Sequence, residues 1–124
     1  MNCKPVHHHL IVRAECNKPL RDEATTKEWL ARLVQRIGMK IVSGPHAAYI
    51  DKDGNKGMTG AVIIETSHCA IHVWDETSPA LVQLDVYTCS DLPLQEVFDH
   101  LNVMEPVKVE HKFLDRETGL TLVK

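Results

Sequence analysis

The chain has 124 residues, of which 44% are hydrophobic and 25% charged, and this length suits a single folded domain spanning 1–124. Its 14 Lys and Arg are outnumbered by 17 Asp and Glu, and the formal charge of −3 excludes a broad electropositive field for nucleic acid. Apolar runs such as Ala61 to Ile64 fall far short of the ~20 residues of a membrane span, and the first residues lack the apolar stretch of a secretion signal. We therefore expect a cytoplasmic protein that acts on a small polar molecule.

The first third of the chain predicts a strand and a helix. His8 to Ala14 is apolar and β-branched after its histidines, which favours a strand. Thr25 and Glu28 have the capping-box spacing, so a helix is expected to begin at Thr25. Apolar residues then recur at helical spacing, at Trp29, Leu30, Leu33, Val34 and Ile37. Gly38 supplies the usual stop, and one face of this helix must be buried.

The middle of the chain predicts a run of strands. Lys40 to Ile50 favours a strand interrupted by Gly44-Pro45, and 51–57 is a turn-rich loop. Further strands are predicted at Met58 to Glu65, Cys69 to Trp74 and Leu81 to Thr88. The last of these alternates apolar and polar residues, which indicates a sheet with one covered face and one wetter face.

The last third predicts a second helix, Asp91 to Met104, a strand, Val107 to Leu114, and a frayed tail. Two helices among five or six mostly hairpin-connected strands predict an α+β fold. We expect a two-layer sandwich in which a mostly antiparallel sheet is covered on one face by two helices. The other face is left open.

The most informative stretch sets a serine, a histidine and a cysteine along consecutive predicted strands. Residues 65–76 read ETSHCAIHVWDE, and residues 84–89 read LDVYTC. A Ser67 hydroxyl that attacks the Thr66 carbonyl turns the amide into an ester, and a base that removes the serine α-proton expels the Thr66 carboxylate. His72 is the candidate base, and hydrolysis then leaves a pyruvoyl group.

A pyruvoyl ketone condenses with a substrate amine as a Schiff base and accepts electrons as CO₂ leaves, as pyridoxal phosphate does in other enzymes. An acid must then return a proton to the substrate. Cys89 can do so at neutral pH, because a thiol is still largely protonated there.

This stretch resembles the small prokaryotic S-adenosylmethionine decarboxylases, self-cleaving pyruvoyl enzymes of spermidine and other polyamine synthesis. Their motifs read Glu-Ser-His, Ile-His-Thr-Trp-Pro-Glu and Asp-Val-Phe-Thr-Cys-Gly. Here the same motifs read Thr-Ser-His, Ile-His-Val-Trp-Asp-Glu and Asp-Val-Tyr-Thr-Cys-Ser. The resemblance covers roughly 7–102, is sharp over 57–89, and implies a homodimer with sites shared at the interface.

The resemblance implies a role for each matching residue of the cleavage site. The bond between Thr66 and Ser67 is cut, His72 is the processing base, and Thr59 assists it with a hydroxyl. Cys89 reprotonates the product; it lies two residues further from the serine than in the family, which implies a short insertion before it. An ordinary strand role is the alternative for Thr59.

The resemblance also implies substrate contacts. Trp74 is expected to help hold the adenosyl group, with a cation–π attraction to the sulfonium, and Glu76 to bind the ribose hydroxyls. The structural alternatives are a core tryptophan and a solvated turn glutamate. The histidines at 7, 9, 46, 68 and 72 permit a metal site, but they lack helical HxxxH spacing, and we expect none.

Three departures from the family leave other functions open. Thr66 replaces a glutamate, and His46-Ala47-Ala48 replaces a His-x-Phe whose ring stacks on adenine, with Tyr49 as a possible substitute. Asp75 lies in a rebuilt turn and suits a cationic substrate side chain. The alternatives are a pyruvoyl-dependent arginine or ornithine decarboxylase on the same scaffold, and an uncleaved homologue that binds a ligand without catalysis.

Overall fold

A computed structural model describes residues 6–123, and these form a seven-stranded sheet with two helices. The strands are β1 His8–Cys16, β2 Ile41–Ile50, β3 Gly57–Ile64, β4 Ser67–Trp74, β5 Ala80–Thr88, β6 Pro106–Asp115 and β7 Thr121–Leu122. The helices are α1 Glu23–Arg36 and α2 Leu94–Leu101, the second followed by a 3₁₀ turn, Asn102–Met104. The strand order is β2-β3-β4-β5-β1-β6-β7 and every neighbouring pair is antiparallel, which confirms the predicted α+β sandwich.

One face of the sheet forms the core with the helices. Along β5, Val82 and Val86 are fully buried, while Asp85 and Tyr87 point to the other side, as the alternation predicts. Gly60 of β3 lies so close beneath α1 that an added Cβ would be 3.0 Å from Leu30 Cδ1. We call the side opposite the helices the open face. No helix within residues 6–123 is long and apolar enough to cross a membrane.

Helix α1 begins earlier than its capping-box pattern predicts. The cap is Asp22, whose carboxylate accepts hydrogen bonds from the Thr25 amide at 2.7 Å and the Thr25 hydroxyl at 2.9 Å. A carboxylate at this position satisfies a free amide and complements the positive end of the helix dipole, so Asp22 outcompetes Thr25 as the cap. After Arg36 the chain turns at Gly38 with φ +75°, as expected.

Other element boundaries also differ from their predictions by one to three residues, and three of these differences concern the end of α2, the tail and the start of β4. Helix α2 ends at Leu101 rather than Met104, because the last turn tightens into the 3₁₀ segment. The tail is not frayed throughout, since Leu122 pairs with Leu114 of β6. Strand β4 begins at Ser67, two residues earlier than predicted, because Ser67 already pairs with Ile64 across a two-residue turn. The third difference makes Ser67 a strand residue that is fixed by the sheet.

Candidate active site

Ser67 stands where the β3–β4 hairpin turns into β4. Its neighbours in the turn are Glu65 and Thr66, and its side chain is half-buried. The Ser67 hydroxyl donates a hydrogen bond to the carbonyl oxygen of Thr66. The hydroxyl therefore lies directly beside the carbonyl group that it would attack.

Cys89 approaches the same carbonyl from β5. Strands β4 and β5 pair His68 with Tyr87, and two further steps along this register bring Cys89 opposite Thr66. The Cys89 thiol donates to the Thr66 carbonyl oxygen at 3.1 Å, and its sulfur is 3.5 Å from Ser67 Oγ. Two side chains that were singled out from the sequence thus converge on one peptide bond.

His72 and Thr59 form a second group on the open face. They are cross-strand partners, and the Thr59 hydroxyl lies 3.3 Å from His72 Nδ1. His72 is five residues along β4 from Ser67, about 16 Å at ordinary strand rise. Within one chain, the structure therefore separates the predicted base from the serine.

Trp74 and Glu76 lie at the His72 end of β4. The Trp74 ring centroid is 6.0 Å from that of His72, and its indole N–H donates to Asn55 Oδ1 at 3.3 Å. Glu76 accepts hydrogen bonds from the amides of Gly54 at 3.3 Å and Lys56 at 3.2 Å. Both residues hold the 51–56 loop in place, so each has a structural role beside any contact with a substrate.

The place where the resemblance implies a stacking ring is a shallow hollow. It has a volume of about 230 Å³ and is lined by His46, Ala47, Ala48, Thr59, Gly60 and Ala61. The suggestion that Tyr49 substitutes for the ring is wrong in this structure, because Tyr49 pairs with buried Met58 and so points away from Thr59. The Tyr49 hydroxyl instead donates to the Asp75 carboxylate at 3.1 Å.

The sequence did not predict the contact of His7 with Cys89, and it suggested His7 only as a metal ligand. His7 Nδ1 lies 3.6 Å from Cys89 Sγ and 3.5 Å from the Tyr87 hydroxyl. The β1–β5 register pairs His8 with Thr88, and one further step puts His7 opposite Cys89. No local pattern signals this contact, because the two residues are 82 positions apart.

The other two thiols within 6–123 are buried and ionise less readily than a free cysteine. Burial raises the pKa of Cys16 to about 11 and that of Cys69 to about 12. Cys89 is the one cysteine within 6–123 that is partly exposed, and Cys3 lies outside the described residues. Over the same range, no cluster of three or more His, Cys, Asp or Glu side chains has the geometry of a metal site.

His9 is a titratable group next to this site on the open face. Burial lowers its pKa, and the carboxylate of Asp85, 3.7 Å from His9 Nε2, opposes the shift. The guanidinium of Arg116 lies 3.3 Å from the other ring nitrogen and favours the neutral ring. The site therefore borders a mixed set of charges rather than a field of one sign.

Comparisons with known proteins point to one family. A sequence profile described as S-adenosylmethionine decarboxylase matches residues 7–117. The S-adenosylmethionine decarboxylase proenzyme of Pyrococcus abyssi is 33% identical over 86 residues, 68% of this chain and 58% of that protein. The proenzyme of Archaeoglobus fulgidus is 31% identical over 100 residues, 78% of this chain and 88% of that protein. The chain thus spans 58% of the length of its Pyrococcus relative.

A solved structure shows the same fold. The crystal structure of the adenosylmethionine decarboxylase from Aquifex aeolicus superposes with a TM-score of 0.71 over 98% of both chains, at 24% sequence identity. At this identity the likeness concerns the fold.

Proposed function

Because this chain belongs to the S-adenosylmethionine decarboxylase family, we propose that it is a proenzyme that cuts itself between Thr66 and Ser67 and then decarboxylates S-adenosylmethionine in polyamine synthesis. The observation that carries the proposal is the convergence of the Ser67 hydroxyl and the Cys89 thiol on the Thr66 carbonyl oxygen.

The residues present fit self-cleavage. Attack by Ser67 Oγ forms a bond to the Thr66 carbonyl carbon and shifts negative charge onto its oxygen. The Cys89 thiol, 3.1 Å from that oxygen, is a donor that can stabilise this charge. Only the carbonyl of residue 66 reacts, so a threonine can stand where the family has a glutamate.

A pyruvoyl group derived from Ser67 fits the start of β4, where Cys89 is within 3.5 Å of the serine oxygen. Such a group supplies a ketone that binds the substrate amine and accepts electrons when CO₂ leaves. Cys89 is then the acid that gives a proton to the substrate α-carbon. Its partial exposure lets the thiol regain a proton from solvent.

We further propose a homodimer in which each site contains residues of both copies. His72 is about 16 Å from Ser67 in its own chain, too far for it to remove the serine α-proton. Two chains packed through their open faces in opposite strand directions bring His72 and Thr59 of one copy to Ser67 of the other. The open face carries apolar side chains that suit such packing, with Ile63 51% exposed and Ile11 39%.

The same packing completes the substrate site. Trp74 and Glu76 lie at the His72 end of β4, so in the dimer they face the cleavage site of the second copy. Trp74 and the hollow beside Thr59 then offer a surface for the adenosyl group, and Glu76 is the carboxylate proposed to accept hydrogen bonds from the ribose hydroxyls. The other residues of the hollow are small, so the imidazole of His46 and the indole of Trp74 are the rings available there for contact with the nucleoside.

Mass spectrometry of the purified protein tests the proposal. We expect two fragments, 1–66 and 67–124, with the second lacking a free amine at its new terminus. Ser67→Ala should remain one intact chain. Ser43→Ala changes a serine of β2 whose hydroxyl lies against His46 rather than Thr66, and it should be cleaved normally. An intact wild-type chain after prolonged incubation would exclude the enzyme and leave the ligand-binding alternative.

The substrate is tested by release of labelled CO₂. S-adenosylmethionine, arginine and ornithine should be offered in parallel to the cleaved protein. Release from S-adenosylmethionine alone supports the proposal, whereas release from arginine or ornithine identifies the basic amino acid decarboxylase instead.

A further inference from the structure

His7, the residue before β1, lies against the Cys89 thiol. Two groups that can donate a hydrogen bond meet at its Nδ1 atom, the Cys89 thiol at 3.6 Å and the Tyr87 hydroxyl at 3.5 Å. All three side chains belong to the open face, at the end of the sheet where β4 begins with Ser67. A neutral imidazole nitrogen has one lone pair, so only one of these donors can bind it well at a time.

Before cleavage the thiol has a better acceptor. The Thr66 carbonyl oxygen is 3.1 Å from Cys89 Sγ, closer than His7 Nδ1 at 3.6 Å. The thiol hydrogen therefore points to the peptide bond, and the Tyr87 hydroxyl occupies His7 Nδ1. In this arrangement the thiol serves self-cleavage.

Cleavage changes both groups that the thiol faces, the Thr66 carbonyl and the Ser67 hydroxyl. The Thr66 carbonyl becomes part of a carboxylate on the departing end of fragment 1–66, and Ser67 loses its oxygen–hydrogen donor. Of the side-chain partners that the structure gives Cys89, His7 is then the one that remains. The thiol is expected to turn to His7 after cleavage.

We propose that His7 is the positioning residue that reloads Cys89 with a proton in each turnover; this rests on the proposed function. The Cys89 S–H bond breaks and its proton forms a C–H bond at the substrate α-carbon that has lost CO₂. The sulfur keeps the electron pair as a thiolate. A solvent proton binds the His7 imidazole, which passes it from Nδ1 to the sulfur and returns to its neutral form.

The surroundings hold His7 and Tyr87 in this geometry. The Arg116 amide donates to the His7 carbonyl at 2.8 Å, which fixes the backbone just before β1. The Arg116 guanidinium lies over the Tyr87 ring, 4.3 Å from its centroid. The motif of the family has phenylalanine where this chain has Tyr87, so the hydroxyl that shares His7 is a feature of this chain.

Alkylation of Cys89 by iodoacetamide gives a readout that does not depend on turnover. The reactive form is the thiolate, and an imidazole that accepts the thiol proton makes it more abundant. We expect His7→Ala to slow alkylation of Cys89 in the cleaved protein about tenfold, with added imidazole restoring part of the rate. Peptide mass spectrometry identifies the modified cysteine.

Matched variants separate this role from a loss of structure. His7→Gln keeps a polar side chain but cannot carry the proton, so it should be as slow as His7→Ala. Tyr87→Phe should alkylate at least as fast as wild type, because it frees His7 Nδ1 for the thiol. His111 packs against Phe98 on the other face of the sheet, so His111→Ala should leave the rate of Cys89 alkylation at the wild-type value.

Turnover gives the second readout. In His7→Ala, kcat should fall about tenfold with KM unchanged, because His7 acts through Cys89 and binds no substrate. Wild-type rates of alkylation in both His7 variants would overturn the proposal. An uncleaved wild-type chain would instead overturn the proposed function, and the mass of the intact protein distinguishes the two failures.

Discussion

The thiol sulfur of Cys89 lies 3.1 Å from the carbonyl oxygen of Thr66, which precedes it by 23 residues in the chain. The pairing of β4 with β5 creates this contact. The two-residue insertion that the resemblance implies would lie in the 75–79 turn, outside both strands, where extra length costs little loop entropy. One thiol can therefore serve both the cleavage and the later protonation.

Substitutions of Cys89 should separate these two steps. Cys89→Ala removes the donor to the Thr66 oxygen and should slow self-cleavage about tenfold. This loss is smaller than the loss from removing a strong oxyanion donor, because a thiol donates weakly. Cys89→Ser keeps a donor and should cleave within about threefold of wild type, while turnover falls about 100-fold because a hydroxyl is a poor acid. Cleavage is followed by electrophoresis over time, and an unimpaired Cys89→Ala precursor would contradict the oxyanion role.

Mixed dimers should reveal whether each site uses both copies. Ser67→Ala and His72→Ala chains should each fail to cleave alone. When they are unfolded together and refolded, the His72→Ala chain should be cut, because its Ser67 meets His72 of the other chain. Mass spectrometry identifies which chain is cut.

A double variant provides the control for this experiment. A chain with both Ser67→Ala and His72→Ala should not rescue cleavage of the His72→Ala chain, since it brings no base. Light scattering should first demonstrate that the mixed chains form dimers. If the His72→Ala chain then stays uncut in the mixture with Ser67→Ala, the base is a residue other than His72 of the second copy.

Protonation of His100 should make the fold less stable in acid. Its ring stacks on Trp29 with centroids 4.5 Å apart, and its Nε2 lies 2.8 Å from the Trp29 carbonyl oxygen. Burial lowers the pKa of His100 below 6.5, while the hydrogen bond to Trp29 opposes this. The unfolded chain therefore takes up a proton that the folded chain resists, so stability is complete above about pH 6.5 and declines below it.

The free energy of unfolding in urea at pH 7.5 and 5.5 measures this effect. In the wild type, His100 should lower the free energy of unfolding by at most about 1.4 kcal/mol for each pH unit below about 6.5. His100→Gln keeps a donor for the Trp29 carbonyl and should show a smaller loss. Equal losses in both proteins would show that other groups, such as His9, set the acid sensitivity.

Gly57 should be intolerant of any side chain. It has φ +150° at the start of β3, and an added Cβ would lie 1.7 Å from the Val73 carbonyl oxygen. Gly57→Ala should destabilise the protein by about 3 kcal/mol through backbone strain and displacement of β4. Gly54 has φ +84°, but the space around it is open, so Gly54→Ala should lower the stability of the fold by only about 1 kcal/mol. Thermal unfolding of the two variants compares the costs, and equal values would refute the steric argument.

The sequence by itself determined the class of fold and supplied the candidate reacting residues. Alternation along β5 and helical spacing along α1 are local patterns, and each follows from burial of one face of an element. The motif around Ser67 likewise lies within a short stretch and could be compared residue by residue. These predictions needed no knowledge of which strands pair.

Only the tertiary structure decided which of those residues meet. Ser67 and His72 are close in sequence yet about 16 Å apart, because a strand is extended, whereas His7 and Cys89 are 82 positions apart and nearly in contact. The pairing of β1 with β5 brings the second pair together, and that register is set by burial of the whole sheet. The direction of Tyr49 was decided in the same way, by the pairing of β2 with β3.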